Sequence, residues 1–541
     1  MRVECFHVAM TEEYNIQNPI DYVDLNALEY PHKDAFVDSG KRLTYLEAKR
    51  MADTLALSFI EMGLIKGQVV LVQLPNMVEY FVVHSALRKA GLVGLNVLMN
   101  VRSREIEYAV KETNAAGVVI IPVFRTFSYF DMMRDIRRRL GNPQHVFAVG
   151  DSAPAGCISV NDLIDASQSL QSAPGCFEQT RIRLQELLEI RMTSGTTGFP
   201  KLVGVYSRQR RLVRESEMTR RFSLEHDDVF AALAPLSGGG SGPPCKSAAQ
   251  MLGCRVVMLE KYNTEDALKL MQDEKVTFAT GVPAQMNMMV HHDRLNDYDL
   301  SSLRAFYYAG AKLPYAVAEA VEEKTGCRVI SLYGGLDAKF QFATSFHDPP
   351  EVRRRSVGKP MSKNLKMQLV DDESNEVRIG EVGEVLVMAG KYVNYIEGGR
   401  SPTEPELPKE WYHTGDLGRL DEEDNLYIVG RKKDVIIRGG ANIYPAEIES
   451  ILAKYPHILS VSIVAMPDEV MGEKACACVI PKPGATLTLD GIVGFLNQYN
   501  VAKYKLPERL ELMNSFPTTA DGQKVLKREL ADYVAKKVNQ E

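Results

Sequence analysis

The chain lacks the features that mark a secreted, membrane-spanning or nucleic-acid-binding protein. Its eight cysteines contain no C-x-x-C pair, which argues against a disulfide scaffold. No apolar run approaches the ~18 residues that a membrane span needs, and the first residues, MRVECFHVAMTEEYN, contain no signal peptide. The net charge of −6 gives no basic excess for nucleic acid. We therefore expect a cytoplasmic protein with no membrane span and no nucleic-acid partner.

The 541 residues are too many for one simple domain, since a domain takes roughly 100–200 residues. In the first half, helical patterns, as at 43–62 and 78–91, alternate with β-branched runs such as QVVLVQ at 68–73. This alternation predicts α/β units with mainly parallel sheets. Residues 365–430 contain shorter strands between turn clusters, which indicates an antiparallel sheet or small barrel. A compact α+β pattern follows the charged stretch Arg431–Asp434 and predicts a separate domain.

The strongest local signal is the segment Met192–Lys201, MTSGTTGFPK, in which hydroxyl residues and two glycines precede a lysine. Glycines let backbone N–H groups turn towards an anion, and hydroxyls add donors. Lys201 adds a mobile positive charge. The spacing differs from a Walker A loop, which has four residues between its glycines and then Gly-Lys-Ser/Thr. We predict a phosphate-binding loop of another kind.

Together with three further stretches in the same order, this segment resembles the acyl-adenylate-forming superfamily, which includes acyl-CoA synthetases, aryl acid–AMP ligases and luciferase. The other stretches are YGGLD at 333–337, YHTGD at 412–416 with GRKKD and GGANIYPAE after it, and PTTADGQK at 517–524. The resemblance implies an α/β fold. Residues 1–432 would form a large N-terminal domain of two α/β subdomains and a small β-barrel. Residues 433–541 would form a smaller, mobile α+β domain.

The resemblance also implies a two-step reaction. A small-molecule carboxylic acid reacts with ATP to give an acyl-AMP and pyrophosphate, and the thiol of CoA then displaces AMP. Lys524 would bridge the substrate carboxylate and the α-phosphate, because a lysine is a compact charge on a flexible stem. Asp337 would hold Mg²⁺, since a hard cation prefers carboxylate oxygen. The cofactors implied are therefore ATP, Mg²⁺ and CoA.

The nucleotide contacts implied by the resemblance come from several parts of the chain. Asp416 would accept the ribose hydroxyls, Tyr333 would stack on adenine, and Arg431 would support the ribose or phosphate. The remaining contacts would come from the phosphate loop and two glycine-containing segments: Thr193, Ser194, Gly195, Thr196, Thr197, Gly198, Lys201, Gly310, Ala311, Lys312 and Gly334.

The acyl pocket would differ from that of relatives. Gly238, Gly239 and Gly240 stand where the family often has His and an aromatic residue, so we expect these glycines to widen the cavity. The other residues expected around the pocket are Tyr308, Ala309, Gly335 and Phe340. Lys433 falls on the family's hinge position. Gly439 and Gly440 lie where the pantetheine thiol would pass, since only glycine allows such close backbone approach.

Two departures from the family pattern leave other functions open. Asp337 stands where Glu is usual, and Gln523 separates Gly522 from Lys524, where we expect a local bulge. The leading hypothesis is a ligase that joins an aryl or cyclic acid to CoA. The alternatives are an aryl acid–AMP ligase that loads a separate carrier protein, a non-catalytic nucleotide sensor and a luciferase-like oxygenase. The sequence leaves a homodimer open.

Overall fold

The computed structural model describes residues 21–166, 176–183, 186–193, 200–206, 217–335, 340–390, 409–519, 524–538 and 540. These residues separate into two compact units: the first contains those up to Thr280 and the second those from Gly281 onward. Two parts of the predicted site, Ser194–Gly198 and Asp337, lie outside the described residues, as does the bulge expected at Gln523.

Two groups of mainly parallel strands form the first unit. The strands are β1 (Asp34–Val37), β2 (Arg42–Thr44), β3 (Val69–Gln73), β4 (Val93–Asn96), β5 (Gly117–Ile120), β6 (Val123–Phe124), β7 (Phe127–Ser128), β8 (His145–Ala148), β9 (Ile158–Ser159), β10 (Leu187–Thr193), β11 (Lys201–Tyr206), β12 (Val229–Ala232), β13 (Arg255–Met258) and β14 (Phe278–Gly281). One sheet has the order β11-β10-β4-β3-β5-β8-β9, with only β10 and β11 antiparallel. In the other group β14, β12, β13 and β1 run parallel, with β2 antiparallel at the edge. β6 and β7 pair with each other.

Two helices of the first unit lie where the sequence predicts them, at 43–62 and 78–91. The helices of this unit span Tyr22–Glu29, Tyr45–Glu61, Val78–Ala90, Ser103–Thr113, Tyr129–Leu140, Val160–Ala166, Ala249–Met251 and Thr264–Asp273, and a π-helical turn spans Pro244–Ala248. Before the second helix, the Thr44 hydroxyl accepts from Glu47 N, and the Glu47 carboxylate accepts from Thr44 N. This reciprocal pair satisfies two backbone donors that a helix start leaves unbonded. The helix predicted at 78–91 ends at Gly91, which adopts φ +76°.

A buried ammonium group joins three helices of this unit. The Lys89 side chain is 2 % exposed, and its Nζ lies 2.5 Å from Asp24 Oδ1 and 2.5 Å from Asp53 Oδ1. Asp53 also accepts from Lys49. Burial opposes charge on the lysine, but the surrounding carboxylates outweigh it and raise the pKa of Lys89. The ion cluster therefore fixes the relative positions of helices that apolar packing alone would hold less specifically.

Removing this ammonium should destabilise the first unit strongly. We expect Lys89→Met to lower the free energy of unfolding by about 3–5 kcal/mol, because the half-buried Asp24 carboxylate would lose this cation and the buried Asp53 would keep Lys49 but lose Lys89. Urea unfolding followed by far-UV circular dichroism measures the change. Arg220→Met is the matched control: Arg220 pairs with Glu217 at the surface, where loss of a pair costs about 0–1 kcal/mol. Equal effects of the two substitutions would contradict the prediction.

The second unit contains β15 (Ala305–Ala309), β16 (Arg328–Gly335), β17 (Phe340–Ala343), β18 (Lys359–Pro360), β19 (Lys366–Val370), β20 (Gly383–Gly390), β21 (Lys409–Leu420), β22 (Leu426–Arg431), β23 (Ile436–Arg438), β24 (Ala441–Ile443), β25 (Ile458–Asp468), β26 (Gly472–Pro481) and β27 (Arg509–Leu512). Its helices span Pro283–Val290, Tyr315–Thr325, Pro350–Arg355, Pro445–Leu452, Leu489–Gln498 and Lys527–Val538, with 3₁₀ turns at Leu295–Asp297, Lys432–Asp434 and Lys503–Lys505.

These strands form three groups. β15 and β16 are parallel, and β17 and β18 continue antiparallel from β16. Between 365 and 431, β19, β20, β21 and β22 form an antiparallel sheet in chain order, the first of the two forms that the sequence predicted there. The last group has the order β24-β23-β26-β25, with β27 parallel to β26. The α/β class predicted from the sequence is confirmed.

The C-terminal segment has its own apolar core, built from helix and strand faces that the sequence predicted. Ile436, Ile448, Ile463, Val479 and Leu496 are among its buried residues. Cysteines 476 and 478 are buried beneath the last helix, and the seven cysteines described form no disulfide. Within the described parts of the chain, no helix has the length and apolarity needed to cross a bilayer.

Candidate active site

One strand pair brings two of the predicted nucleotide-binding residues together. Asp416 on β21 is the direct cross-strand neighbour of Arg431 on β22. Arg431 Nε donates to Asp416 Oδ1 at 2.8 Å. Opposite charges on facing strand positions stabilise an antiparallel pair. The strand register therefore places the guanidinium on the carboxylate without any contribution from a loop.

Tyr333 joins this pair from β16. Its hydroxyl donates to Asp416 Oδ2 at 2.6 Å, and its ring lies 5.3 Å from the ring of Phe340. Burial and the adjacent Asp416 carboxylate raise the pKa of Tyr333, so the phenol keeps its proton and remains a donor. The structure thus brings together three residues that the sequence placed in separate motifs.

A tight turn on β21 orients the carboxylate. The Thr414 hydroxyl donates to Val385 O at 2.8 Å and accepts from Asp416 N at 3.1 Å. Gly415 between them has φ +72°, a left-handed conformation that favours glycine. Asp416 is only 6 % exposed. A carboxylate offers about four acceptor positions, and the bonds from Tyr333 and Arg431 occupy two of them, so two hydroxyl donors fit the remainder.

The other predicted residues of the second unit lie on β15, β16, β17 and the loop after β15. Gly310 in that loop has φ +96°, and Lys312 Nζ donates to Ile428 O on β22 at 2.8 Å. Gly334 and Gly335 are required sterically, because added Cβ atoms would lie 2.4 Å from Phe340 O and 2.6 Å from Phe340 Cε1 respectively. Of the predicted pocket residues, Gly335 and Phe340 are therefore in contact.

Tyr308 and Ala309, also predicted for the acyl pocket, end the buried strand β15. Burial raises the pKa of Tyr308 to about 12, so its hydroxyl stays neutral. Ala311 follows Gly310 in the loop and is half-buried.

The first unit contains the described ends of the predicted phosphate loop. Thr193 ends β10, and Lys201, whose side chain is exposed, begins β11 as its cross-strand neighbour. The antiparallel pair thus fixes the two ends of the segment. The glycine segment comprises residues 238–242, GGGSG. Within it, Gly239 is exposed and an added Cβ there would meet no atom within 4 Å, whereas Gly240 is buried.

The residues predicted for domain movement and thiol access lie close in sequence on the second unit. Lys433 is exposed in the 3₁₀ turn after β22. Gly439 and Gly440 join β23 to β24 with φ +54° and +85°. Gly439 N donates to Met471 O at 2.8 Å. The glycine pair is therefore tied to the turn between β25 and β26.

Comparison with known proteins identifies the family to which this chain belongs. The family model for AMP-binding enzymes matches residues 23–393, and the model for the AMP-binding enzyme C-terminal domain matches residues 447–523. The chain belongs to the AMP-binding enzyme family. The family membership and the class of AMP-forming acid–thiol ligase that the sequence predicted are confirmed.

Individual relatives of this AMP-binding enzyme act on aryl acids. A 2-hydroxy-7-methoxy-5-methyl-1-naphthoate–CoA ligase of Streptomyces carzinostaticus is 30 % identical over 92 % of this chain and 89 % of its own length. A 2,3-dihydroxybenzoate–AMP ligase of Bacillus subtilis is 28 % identical over 95 % and 93 %. The crystal structure of an anthranilate CoA ligase in complex with anthranoyl-AMP superposes with a TM-score of 0.83 at 22 % identity, covering 98 % of this chain and 99 % of that one.

Sequence reasoning missed two structural features of this AMP-binding enzyme. Lys312 was expected to contribute its backbone beside adenine, but its side chain also joins the loop after β15 to β22. A set of buried polar residues in the first unit was also missed, among them Glu189 and Lys246. The only local signal was the position of Lys246 in GPPCKSAAQM, a run of mostly small or apolar residues. Such surroundings weakly favour burial of the lysine side chain.

The hydroxyl of Tyr333 should contribute to nucleotide affinity through Asp416. We expect Tyr333→Phe to weaken AMP binding about tenfold, because a hydrogen bond to a charged group contributes roughly 1.5–3 kcal/mol and the carboxylate would lose one of its two fixed partners. Isothermal titration calorimetry measures the affinity. The control is Tyr315→Phe, whose hydroxyl donates to Glu319 and Glu351 instead. AMP binding that is unchanged in Tyr333→Phe would show that Asp416 needs no support from the phenol.

Proposed function

We propose that this AMP-binding enzyme joins an aryl or cyclic carboxylic acid to the thiol of CoA through an acyl-AMP intermediate. The observation that carries the proposal is the Asp416 carboxylate, held at both oxygens by Tyr333 and Arg431 with acceptor capacity left for a ribose diol. The aryl acids named for the relatives support the substrate class.

In the first step a carboxylate oxygen of the acid attacks the α-phosphorus of ATP. The bond from that phosphorus to the bridging oxygen breaks, and pyrophosphate leaves. Because two anions approach each other, catalysis depends on fixed orientation and positive charge. In our proposal Lys524 supplies a charge between the carboxylate and the α-phosphate, and Thr193 and Lys201 belong to the phosphate-binding segment. Mg²⁺, held by Asp337, would neutralise charge on the departing phosphates.

The contacts of neighbouring lysines support the choice of Lys524. Lys505 Nζ lies 2.8 Å from both carboxylate oxygens of Glu447. Lys527 Nζ donates to Glu449 Oε1 at 2.6 Å. Lys524 is exposed next to the bridge between Thr518 and Val525. Its backbone is fixed, since its carbonyl accepts from Thr519 N at 2.8 Å.

Removing the Lys524 charge should abolish adenylation specifically. We expect Lys524→Ala to slow acyl-AMP formation by roughly 100-fold or more, the usual effect of losing one group that stabilises developing charge. Acid-dependent pyrophosphate exchange measures this step. Thiolysis of a supplied acyl-AMP should continue. In our proposal the C-terminal domain rotates between the two steps, so Lys524 is not at the reacting groups during thiolysis.

Lys505→Ala and Lys527→Ala are the matched controls for Lys524. Each removes a lysine whose partner is a glutamate of the helix Pro445–Leu452, so each should change stability more than adenylation. Full exchange by Lys524→Ala, with loss in either control, would reject the assignment.

In the second step the thiol attacks the acyl carbon, and AMP leaves with the electron pair of the anhydride bond. We propose that residues 433–541 rotate about Lys433 between the steps and that the thiol passes Gly439 and Gly440. The interval between the two family-matched segments, 394–446, contains Lys433, which supports this boundary. Among the contacts between the parts before and after Lys433, Asn287 Nδ2 donates to Leu459 O at 3.2 Å, and Lys454 Nζ lies 5.3 Å from the Tyr315 ring centroid. Both are weak enough to break during rotation.

A second candidate function is an aryl acid–AMP ligase that loads a separate carrier protein. The dihydroxybenzoate–AMP ligase among the relatives favours it, and the chemistry of both steps is the same apart from the thiol. The exposed Gly239 leaves space for a bulky acid in either case.

A panel of acids tests both candidates and their rivals. We expect aryl acids to give acid-dependent pyrophosphate exchange and CoA to accelerate AMP release at least severalfold. Short and long fatty acids serve as comparison substrates. Exchange without any response to CoA would favour the carrier-loading ligase, and exchange with fatty acids alone would reject the aryl assignment. Absence of exchange with every acid would point to the nucleotide sensor.

A further inference from the structure

A closed ring of buried polar groups lies inside the first unit. Lys246 Nζ donates to Tyr80 Oη at 3.3 Å, and Tyr80 Oη donates to Asn96 Oδ1 at 2.9 Å. Asn96 Nδ2 donates to Glu189 Oε2 at 2.9 Å. The ring closes where Lys246 Nζ lies 3.6 Å from that same glutamate oxygen. All four residues are at most 5 % exposed, and buried networks of this kind fix geometry because each group depends on the others.

Each member of this polar ring belongs to a different element. Tyr80 lies on the helix Val78–Ala90, Asn96 on β4, Glu189 on β10 and Lys246 on the π-helical turn Pro244–Ala248. π-helical turns are rare and occur frequently at functional sites. The polar ring therefore connects four elements through directional bonds rather than through apolar packing alone.

One end of this connection is the strand that carries the predicted phosphate-binding residues. Glu189 precedes Thr193 by four positions on β10. The carboxylate of Glu189 also accepts from Arg191 Nε at 2.6 Å. Because β10 pairs with β11 up to Thr193 and Lys201, a shift of Glu189 moves both of these strand ends.

The other end is the glycine segment. Gly242 N donates to Gly238 O at 3.2 Å, and an added Cβ on Gly242 would lie 2.6 Å from Leu236 O. The chain is therefore folded back tightly here. Lys246 follows one turn later, and its Cε would lie 3.6 Å from that Cβ. Displacement of the glycine segment is thus passed to Lys246 through a short, packed stretch.

A buried histidine packs beside the polar ring. The His84 ring is tilted by 50° to the Tyr80 ring with centroids 4.5 Å apart, and it fills the space left by Gly94, where an added Cβ would lie 3.3 Å from His84 Cε1. Burial and the nearby Lys246 ammonium lower the pKa of His84 to about 3, so the imidazole stays neutral and adds no competing charge.

We propose that Lys246 and Glu189 are positioning residues that couple the glycine segment to the strand end at Thr193. Acid bound beside the glycines and ATP phosphates bound at Thr193 and Lys201 are then held in one fixed relative geometry. The inference rests on the proposed function for the identity of the two ligands. The polar ring carries the coupling between the two ligands. Binding of either ligand stabilises the ring geometry that the other ligand needs.

The test measures binding of a non-hydrolysable ATP analogue to the full-length enzyme by calorimetry, without acid and with the best acid of the panel. We expect Lys246→Met to weaken analogue binding by about 3- to 30-fold, the usual range for mutations that alter coupling, and to remove the gain in affinity that acid provides. In pyrophosphate exchange the KM for ATP should rise more than kcat falls. Lys246→Arg keeps the cation and should restore part of the affinity.

Lys89→Met is the matched control, since it removes an equally buried ammonium from the same unit without touching the ring. It should lower stability and leave analogue binding unchanged. If Lys246→Met does not fold, Tyr80→Phe removes one hydroxyl of the ring and should shift affinity in the same direction. Lys246→Met with Glu189→Gln should be less than additive, because both changes break one network.

The inference is overturned if Lys246→Met and Tyr80→Phe bind the analogue as the wild type does, or if Lys89→Met weakens binding equally. A wild-type enzyme that activates no acid contradicts the proposed function instead. The acid-free measurement of the analogue still decides whether the ring positions the strand end at Thr193.

Discussion

The candidate site depends on the fixed position of one carboxylate. Since β21 and β22 run antiparallel with Asp416 opposite Arg431, the guanidinium reaches one oxygen without leaving its strand. Tyr333 binds the other oxygen from β16. A carboxylate held at both oxygens cannot rotate, so its remaining lone pairs point in set directions. A ligand that donates there meets acceptors that need no reorganisation, which is the general condition for strong electrostatic recognition.

In the first unit, buried cations fix the positions of neighbouring helices and strands. Lys89 is surrounded by carboxylates from two helices, and Lys246 lies in a ring built from four elements. Hydrophobic burial is non-directional, so it leaves the angle and register of neighbouring elements loosely defined. A buried ion tolerates little displacement because loss of its partner is costly. The two ammonium groups therefore specify geometry in the parts of the unit where parallel strands and helices meet.

The sequence predicts local features of this fold well and its long-range pairs poorly. The helix expected at 43–62 spans Tyr45–Glu61, and the strand expected at 68–73 spans Val69–Gln73, because caps and apolar periodicity act over a few residues. The motifs likewise predict which residues form the nucleotide site. By contrast, the bond between Tyr333 and Asp416 joins positions 83 residues apart. The apolar run around Lys246 weakly favours burial, but nothing in it indicates that Glu189 is the partner. Such partners are set by strand order, which no local pattern encodes.

The lysines near the C-terminus illustrate how the fold separates structural from reactive charge. Lys505 and Lys527 lie close in sequence to Lys524, the lysine that the resemblance places at the reacting groups. The helix Pro445–Leu452 presents Glu447 and Glu449, and these bind Lys505 and Lys527. Their charges are thereby committed to packing the C-terminal segment. Lys524 is an exposed residue whose backbone is fixed, since its carbonyl accepts from Thr519 N and its N–H donates to the Thr519 hydroxyl. The proposed reaction joins two anions and needs a cation that can follow the substrate while its origin stays in place. A lysine on a flexible stem, borne by the held main chain at Lys524, meets the second condition.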